Sequence, residues 1–114
     1  MRPLKFRTWH PQGGMSNPFT IDDIIEAACC QHYPKYPRQE YVTMQYTGLK
    51  DKNGVEIYEG DIADHHNLRF IVEWTEAFGL WSVYNGETDD LLGNHSNVLE
   101  IIGNIYENPE LVVK

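Results

Sequence analysis

Cysteine is nearly absent from the 114 residues: Cys29 and Cys30 are the only two, and they are adjacent. Neighbouring cysteines on a helix point in different directions and rarely bridge, and two give no framework of the kind a secreted mini-protein uses. Reduced thiols in a cytosolic compartment are therefore expected, with no metal-ligand spacing beside them. Basic charge is also scarce. Nine Lys+Arg stand against 17 Asp+Glu, for a formal charge of −8. That shortage excludes broad binding along a phosphate backbone, which needs surplus cations. No run approaches the roughly 18 apolar residues of a membrane span, so no membrane partner is expected. The start, Met1-Arg2-Pro3-Leu4-Lys5-Phe6-Arg7, puts basic residues where a signal peptide needs an apolar core.

What is present is a globular composition, 41% hydrophobic and 12% aromatic. The length fits one domain over residues 1–114, since domains usually run to roughly 100–150 residues. The charge is graded along it. Residues 1–40 hold five basic and four acidic groups, residues 41–63 two and four, and residues 64–114 only Arg69 and Lys114 against nine acids. Crowded like charge repels polyanions and favours a basic partner.

Residues 4–9 alternate apolar and polar, the period-two pattern of a half-buried strand, with Leu4, Phe6 and Thr8 on one face. His10-Pro11-Gln12-Gly13-Gly14 breaks it. Thr20 as N-cap, Asp23 three residues on, and Phe19 with Ile24 as a staple predict a helix start. Ile21, Ile24, Ile25, Ala28 and Cys29 continue it as one apolar stripe, with Cys30 near its edge. From Tyr41 onward the pattern is β. Asn53-Gly54 marks a hairpin between strand-like flanks. At Glu59-Gly60-Asp61, Gly60 is expected to take positive φ and Asp61 to cap the turn with a side-chain oxygen. Further strands are predicted from Ile62, over 68–74, 80–84 and 98–102, with Asn85-Gly86 a turn. Asn108-Pro109-Glu110 reads as a cap and first turn of a short helical end. Short strands at close spacing indicate a small barrel or highly curved sheet, and the segment 58–62 is similar to a turn of SH3-like barrels.

Four blocks resemble the YopX family, small proteins encoded largely by phages and prophages of bacteria. They are residues 4–9 (LKFRTW), 44–63 (MQYTGLKDKNGVEIYEGDIA), 71–74 (IVEW) and 101–111 (IIGNIYENPEL). The family's first block usually continues from its Trp into an acidic or amide residue, where this chain has His10. The helical insert, about 15–40, varies within the family. Nothing transfers onto that insert, and the resemblance implies a mostly β fold with a small barrel; with the residue patterns this gives a mainly β class with one or two helices, a small SH3-like or YopX-like barrel with an N-terminal strand, one inserted helix and a short C-terminal helical turn. It also implies self-association and a bacterial setting, and with the reduced cysteines the expected location is the cytoplasm of a bacterial host cell. It brings no cofactor, metal or catalytic residue.

The residues themselves agree on that last point. His65 and His66, as neighbours in a strand, should face opposite ways and not share an ion, while His10, His32 and His95 are far apart in sequence. Cys30 and His32 fall on different helical faces. Ser16, Ser82 and Ser96 lack an elbow motif, and Gly13-Gly14 lacks the Lys-Ser/Thr of a phosphate loop. Asp89-Asp90, or Glu56 with Glu59, form acid pairs only on paper. No catalytic, cofactor or metal residue is assigned and no enzyme is expected. The aromatics Trp9, Tyr41, Tyr46, Tyr58, Trp81, Tyr84 and Tyr106 lie on or beside strands, and Trp74 and Phe70 are expected in the core. A non-enzymatic interaction module follows, acting as a homo-oligomer. The alternatives are a nucleic-acid-associated factor with a local basic patch of Lys5, Arg7, Lys50 and Lys52, or an acidic polyanion mimic that binds a basic host protein.

Overall fold

The alternating segment at the start of the chain forms β1 (Lys5–His10) in the computed structural model, which describes residues 4–23, 40–76, 79–86 and 89–112. Two compact units make up the chain, Met1–Tyr46 and Thr47–Lys114. In the first, β1 pairs along one edge with the opening of β4 (Val42–Lys50), Phe6 opposite Gln45 and Trp9 opposite Val42. Its other edge takes β2 (Gly14–Met15) near its end and β3 (Phe19–Thr20) near its start. Phe6 faces Phe19 across the ladder, ring centroids 6.1 Å apart. Period two puts Lys5 and Arg7 on the side of Met44 and Tyr46, and the Lys5 ammonium lies 5.5 Å from the Tyr46 ring centroid.

The predicted helix start is formed as a reciprocal capping box. The Thr20 amide donates to Asp23 Oδ2 (2.8 Å) and the Asp23 amide to Thr20 Oγ1 (3.2 Å), with helical residues 21–23 following. Ile24, Ile25, Ala28, Cys29, Cys30 and His32 lie outside the described residues.

The second unit is mainly β as well. Beyond the end of β4 come β5 (Glu56–Tyr58), β6 (Asp61–His65), β7 (Leu68–Thr75), β8 (Leu80–Tyr84), β9 (Asp89–Leu91) and β10 (Glu100–Asn104). The last five form a curled antiparallel half-barrel sheet in the order β10-β6-β7-β8-β9. Its core is Ile57, Ala63, Val72, Trp81, Val83, Leu92 and Leu99, flanked by Leu49, Phe70 and Ile101. Burying each large aliphatic side chain stabilises by about 1.5–3 kcal/mol. The expected C-terminal helical turn is a 3-10 turn at Pro109–Leu111.

Several local expectations shift. The last strand starts two residues late, at Glu100, because a 3-10 turn at Ser96–Val98 first drives Leu99 into the core. Asn108 sits at the N-cap position without capping. Its Oδ1 instead accepts the Asn104 amide at 3.3 Å, in the space a side chain on Gly103 would fill. Trp74 is 44% exposed rather than core. It points to the core side, but β6 begins only at Asp61, with the Gly60 amide bonded to the Val72 carbonyl at 2.9 Å. No β6 residue therefore flanks Trp74, and it leans edge-to-face on Trp81, centroids 5.1 Å apart. Finally, His66 and Asn67 have φ of 53° and 66° and form a two-residue turn between β6 and β7. His66 has left the strand, so its ring meets that of His65 at 4.1 Å instead of facing away.

Candidate functional site

Buried polar side chains are where chemistry would be sought, and here they hold the backbone. Asp51 is almost fully buried at the hairpin. Its Oδ1 accepts the amides of Asn53 (2.8 Å) and Val55 (2.9 Å), and its Oδ2 that of Ile101 (2.9 Å). Asp61 Oδ2 accepts the Tyr58 amide at 2.7 Å, and Gly60 has a φ of 86°, as the turn chemistry required. Thr47 Oγ1 donates to the Ile57 carbonyl (2.8 Å), and Asn104 Oδ1 accepts the amides of Tyr106 and Glu107. His10 is buried, with Nδ1 accepting the amides of Gln12 (3.0 Å) and Gly13 (3.1 Å) and Nε2 against Glu40 Oε1 (2.9 Å). Nδ1 therefore carries no proton and does the work of an Asx-turn oxygen. In this way a histidine serves at the position where the resemblance led to an acid or amide being expected. Both ring nitrogens are engaged, which leaves no free base.

The other nominated groups are scattered. Ser16 Oγ accepts the Thr8 amide (2.9 Å), and Ser82 Oγ is hydrogen-bonded to Thr75 Oγ1 (2.6 Å). Glu56 accepts from the Tyr58 hydroxyl at 3.3 Å. Among the described residues no group of three or more His, Cys, Asp or Glu could hold a metal ion. Of the four proposed patch cations, Lys5 and Arg7 lie on β1 in the first unit, and Lys50 and Lys52 are exposed around the hairpin of the second.

The arrangement that sequence reasoning missed is a sheet face. Register places Leu91, Ser82 and Glu73 in one cross-strand row, with Thr75 opposite Leu80 on one side and Ile71 opposite Tyr84 on the other. Ser82 is buried beneath exposed Leu80, Tyr84 and Leu91. Alternation along β8 was visible in the sequence, but which face stays open was not.

Beside this face, Asp90 links the edge strand to the following turn. Its Oδ2 meets His95 Nε2 at 2.7 Å and its Oδ1 accepts the Leu91 amide at 2.8 Å. The His95 hydrogen bond, and then the Leu91 amide, hold the Asp90 carboxyl below its ordinary 3.8. A lowered folded value means the contribution is present above the unfolded value and fades as pH falls through the folded one. Carbon-13 NMR titration should find Asp90 below 3.8. His95→Ala should move it upward, and an unmoved value would assign the whole effect to Leu91.

The fold has a solved counterpart: protein EF1440 from Enterococcus faecalis, with a TM-score of 0.64 at 24% identity over 96% of this chain and 98% of that one. No curated protein matches the chain. The family profile described as "YopX protein" matches residues 5–113. With the profile running from β1 past the C-terminal turn, the chain belongs to the YopX family.

Proposed function

We propose that this chain is a non-enzymatic protein-interaction module of phage or prophage type, working in the bacterial cytoplasm and associating with a second copy of itself. The observation that carries the reading is a division of labour among side chains. Buried acids, amides and His10 are committed to backbone groups, while large apolar residues stay exposed in both units. Exposed apolar surface on a small domain is the usual mark of an interface.

The two units differ in what they can meet. Met1–Tyr46 has five basic and four acidic residues, whereas Thr47–Lys114 has four and thirteen. Two copies approach without charge repulsion only through the first, where Leu4, Ile21 and Val42 are exposed. Leu4 and Ile21 each adjoin the last pair of the β1–β3 ladder, Lys5 opposite Thr20. Sedimentation velocity at micromolar concentration should show a dimer or larger species. Leu4→Glu, or Ile21→Glu (which suits a first helical turn), should weaken it by about tenfold, the effect of removing one apolar contact per copy. A strict monomer would remove self-association. The acidic unit suits a second kind of partner, for which Glu73 supplies the reason.

A further inference from the structure

Glu73 is half-buried at the β7 side of the exposed apolar face, on the row it shares with Ser82 and Leu91. Its backbone carbonyl accepts from Ser82 Oγ at 3.4 Å, but its carboxylate has no hydrogen bond or ion pair among the described residues. A carboxylate partly withdrawn from water calls for a cation. The unit has little to offer: its basic residues are Lys50, Lys52, Arg69 and Lys114, and Arg69 Nη1 is bound to the Leu111 carbonyl at 2.7 Å. On one side of Glu73, Leu80 and Tyr84 flank its cross-strand partner Ser82 and Leu91 lies one strand further on; the three are exposed by 46%, 40% and 37%, and Asp89 holds the register position opposite Tyr84. A carboxylate beside an apolar cluster, on the strongly acidic unit, complements a chain segment that carries both apolar and cationic side chains.

We propose that this face of β7, β8 and β9 docks a basic, amphipathic segment of another protein, one Lys or Arg pairing with Glu73 while its apolar neighbours pack on Leu80, Tyr84 and Leu91. The inference rests on the interaction-module reading and gives it a surface and a partner chemistry. A second copy fits this face badly. A two-fold contact would set Glu73 near its equivalent on units of like charge.

The test uses the full chain and three fluorescein-labelled dodecapeptides at about 150 mM salt, where long-range attraction is screened beyond roughly 8 Å. One alternates Leu and Lys, one Ser and Lys, one Leu and Glu. The Leu–Lys peptide should bind saturably, the Ser–Lys peptide at least about tenfold more weakly, and the Leu–Glu peptide not at all. Glu73→Gln should weaken Leu–Lys binding by about fivefold or more, the size of one partly buried ion pair. Glu110→Gln, the same charge change on an exposed residue of the C-terminal turn, should leave it within about twofold. Thermal melts of both variants confirm the fold. Absent Leu–Lys binding, equal losses in the two variants, or equal binding of Ser–Lys would each overturn the proposal. So would Glu73→Gln altering self-association without any peptide being bound, since the occupant would then be a second copy. Sedimentation of the same samples separates the two readings: a peptide-binding monomer removes only self-association, and a non-binding dimer removes only this face.

Discussion

Asp51→Ala should lower the unfolding free energy by about 3–4 kcal/mol, because three amides lose a charged acceptor and at least one of them sits between packed strands. For a chain of this size that corresponds to a drop of roughly 15 °C in Tm. Two of those amides, from Asn53 and Val55, belong to the hairpin turn itself, and the third, from Ile101, belongs to β10. The Lys52 amide reaches the Leu99 carbonyl at 3.0 Å, so the turn lies along the outer edge of β10 and closes it. Asp51→Asn separates the two jobs. Its oxygen can still serve the turn, but its NH2 then faces the Ile101 amide, and the cost should be about 1–2 kcal/mol. Urea denaturation gives both values, and amide exchange at Ile101 reports the strand contact directly. Equal stability of the Ala and Asn variants would show that the Ile101 contact contributes all of the effect.

The same residue marks how far the sequence could be read. Asn53-Gly54 announced the hairpin because its turn needs positive φ, which Gly54 has at 81°. Nothing local announced that the second oxygen of Asp51 would meet an amide fifty residues away. The turn at His66-Asn67 is marked only weakly: His and Asn tolerate the left-handed region better than most residues, but no glycine accompanies them. β9 escaped because Asp89-Asp90-Leu91 has no β-like pattern of its own. As the end strand of its sheet it carries charge, which discourages further pairing. The candidate face needed even more. Leu80, Ser82 and Tyr84 alternate visibly, but only the register with β7 and β9 shows that they lie beside Glu73, which no cation among the described residues answers. The mainly β fold is a property of local patterns, and the site is a property of which strands lie side by side.

The longest of the four blocks that resemble the family, residues 44–63, acts as a scaffold, and Asp61 is where this is tested most directly. Asp61 is fully buried at the start of β6, and the Tyr58 amide it accepts at 2.7 Å is buried too. Between them Gly60 donates to the Val72 carbonyl of β7 and accepts the amide of Ile105, both at 2.9 Å, so one turn anchors β5, β7 and the segment after β10. Asp61→Ala should therefore cost about 3 kcal/mol, a hydrogen bond to a charged group plus a stranded buried amide, and roughly 10 °C or more in Tm. Asp61→Asn keeps an acceptor for Tyr58 and should cost only about 1 kcal/mol. A catalytic or ligand-binding acid would show the opposite ranking of damage: Asn would leave the fold intact and abolish function. If Asp61→Asn binds the Leu–Lys peptide and self-associates as the unmodified chain does, while Asp61→Ala melts early, the residue is a cap. Its place in the family block then reflects the geometry of the turn, and recognition lies on the open face around Glu73.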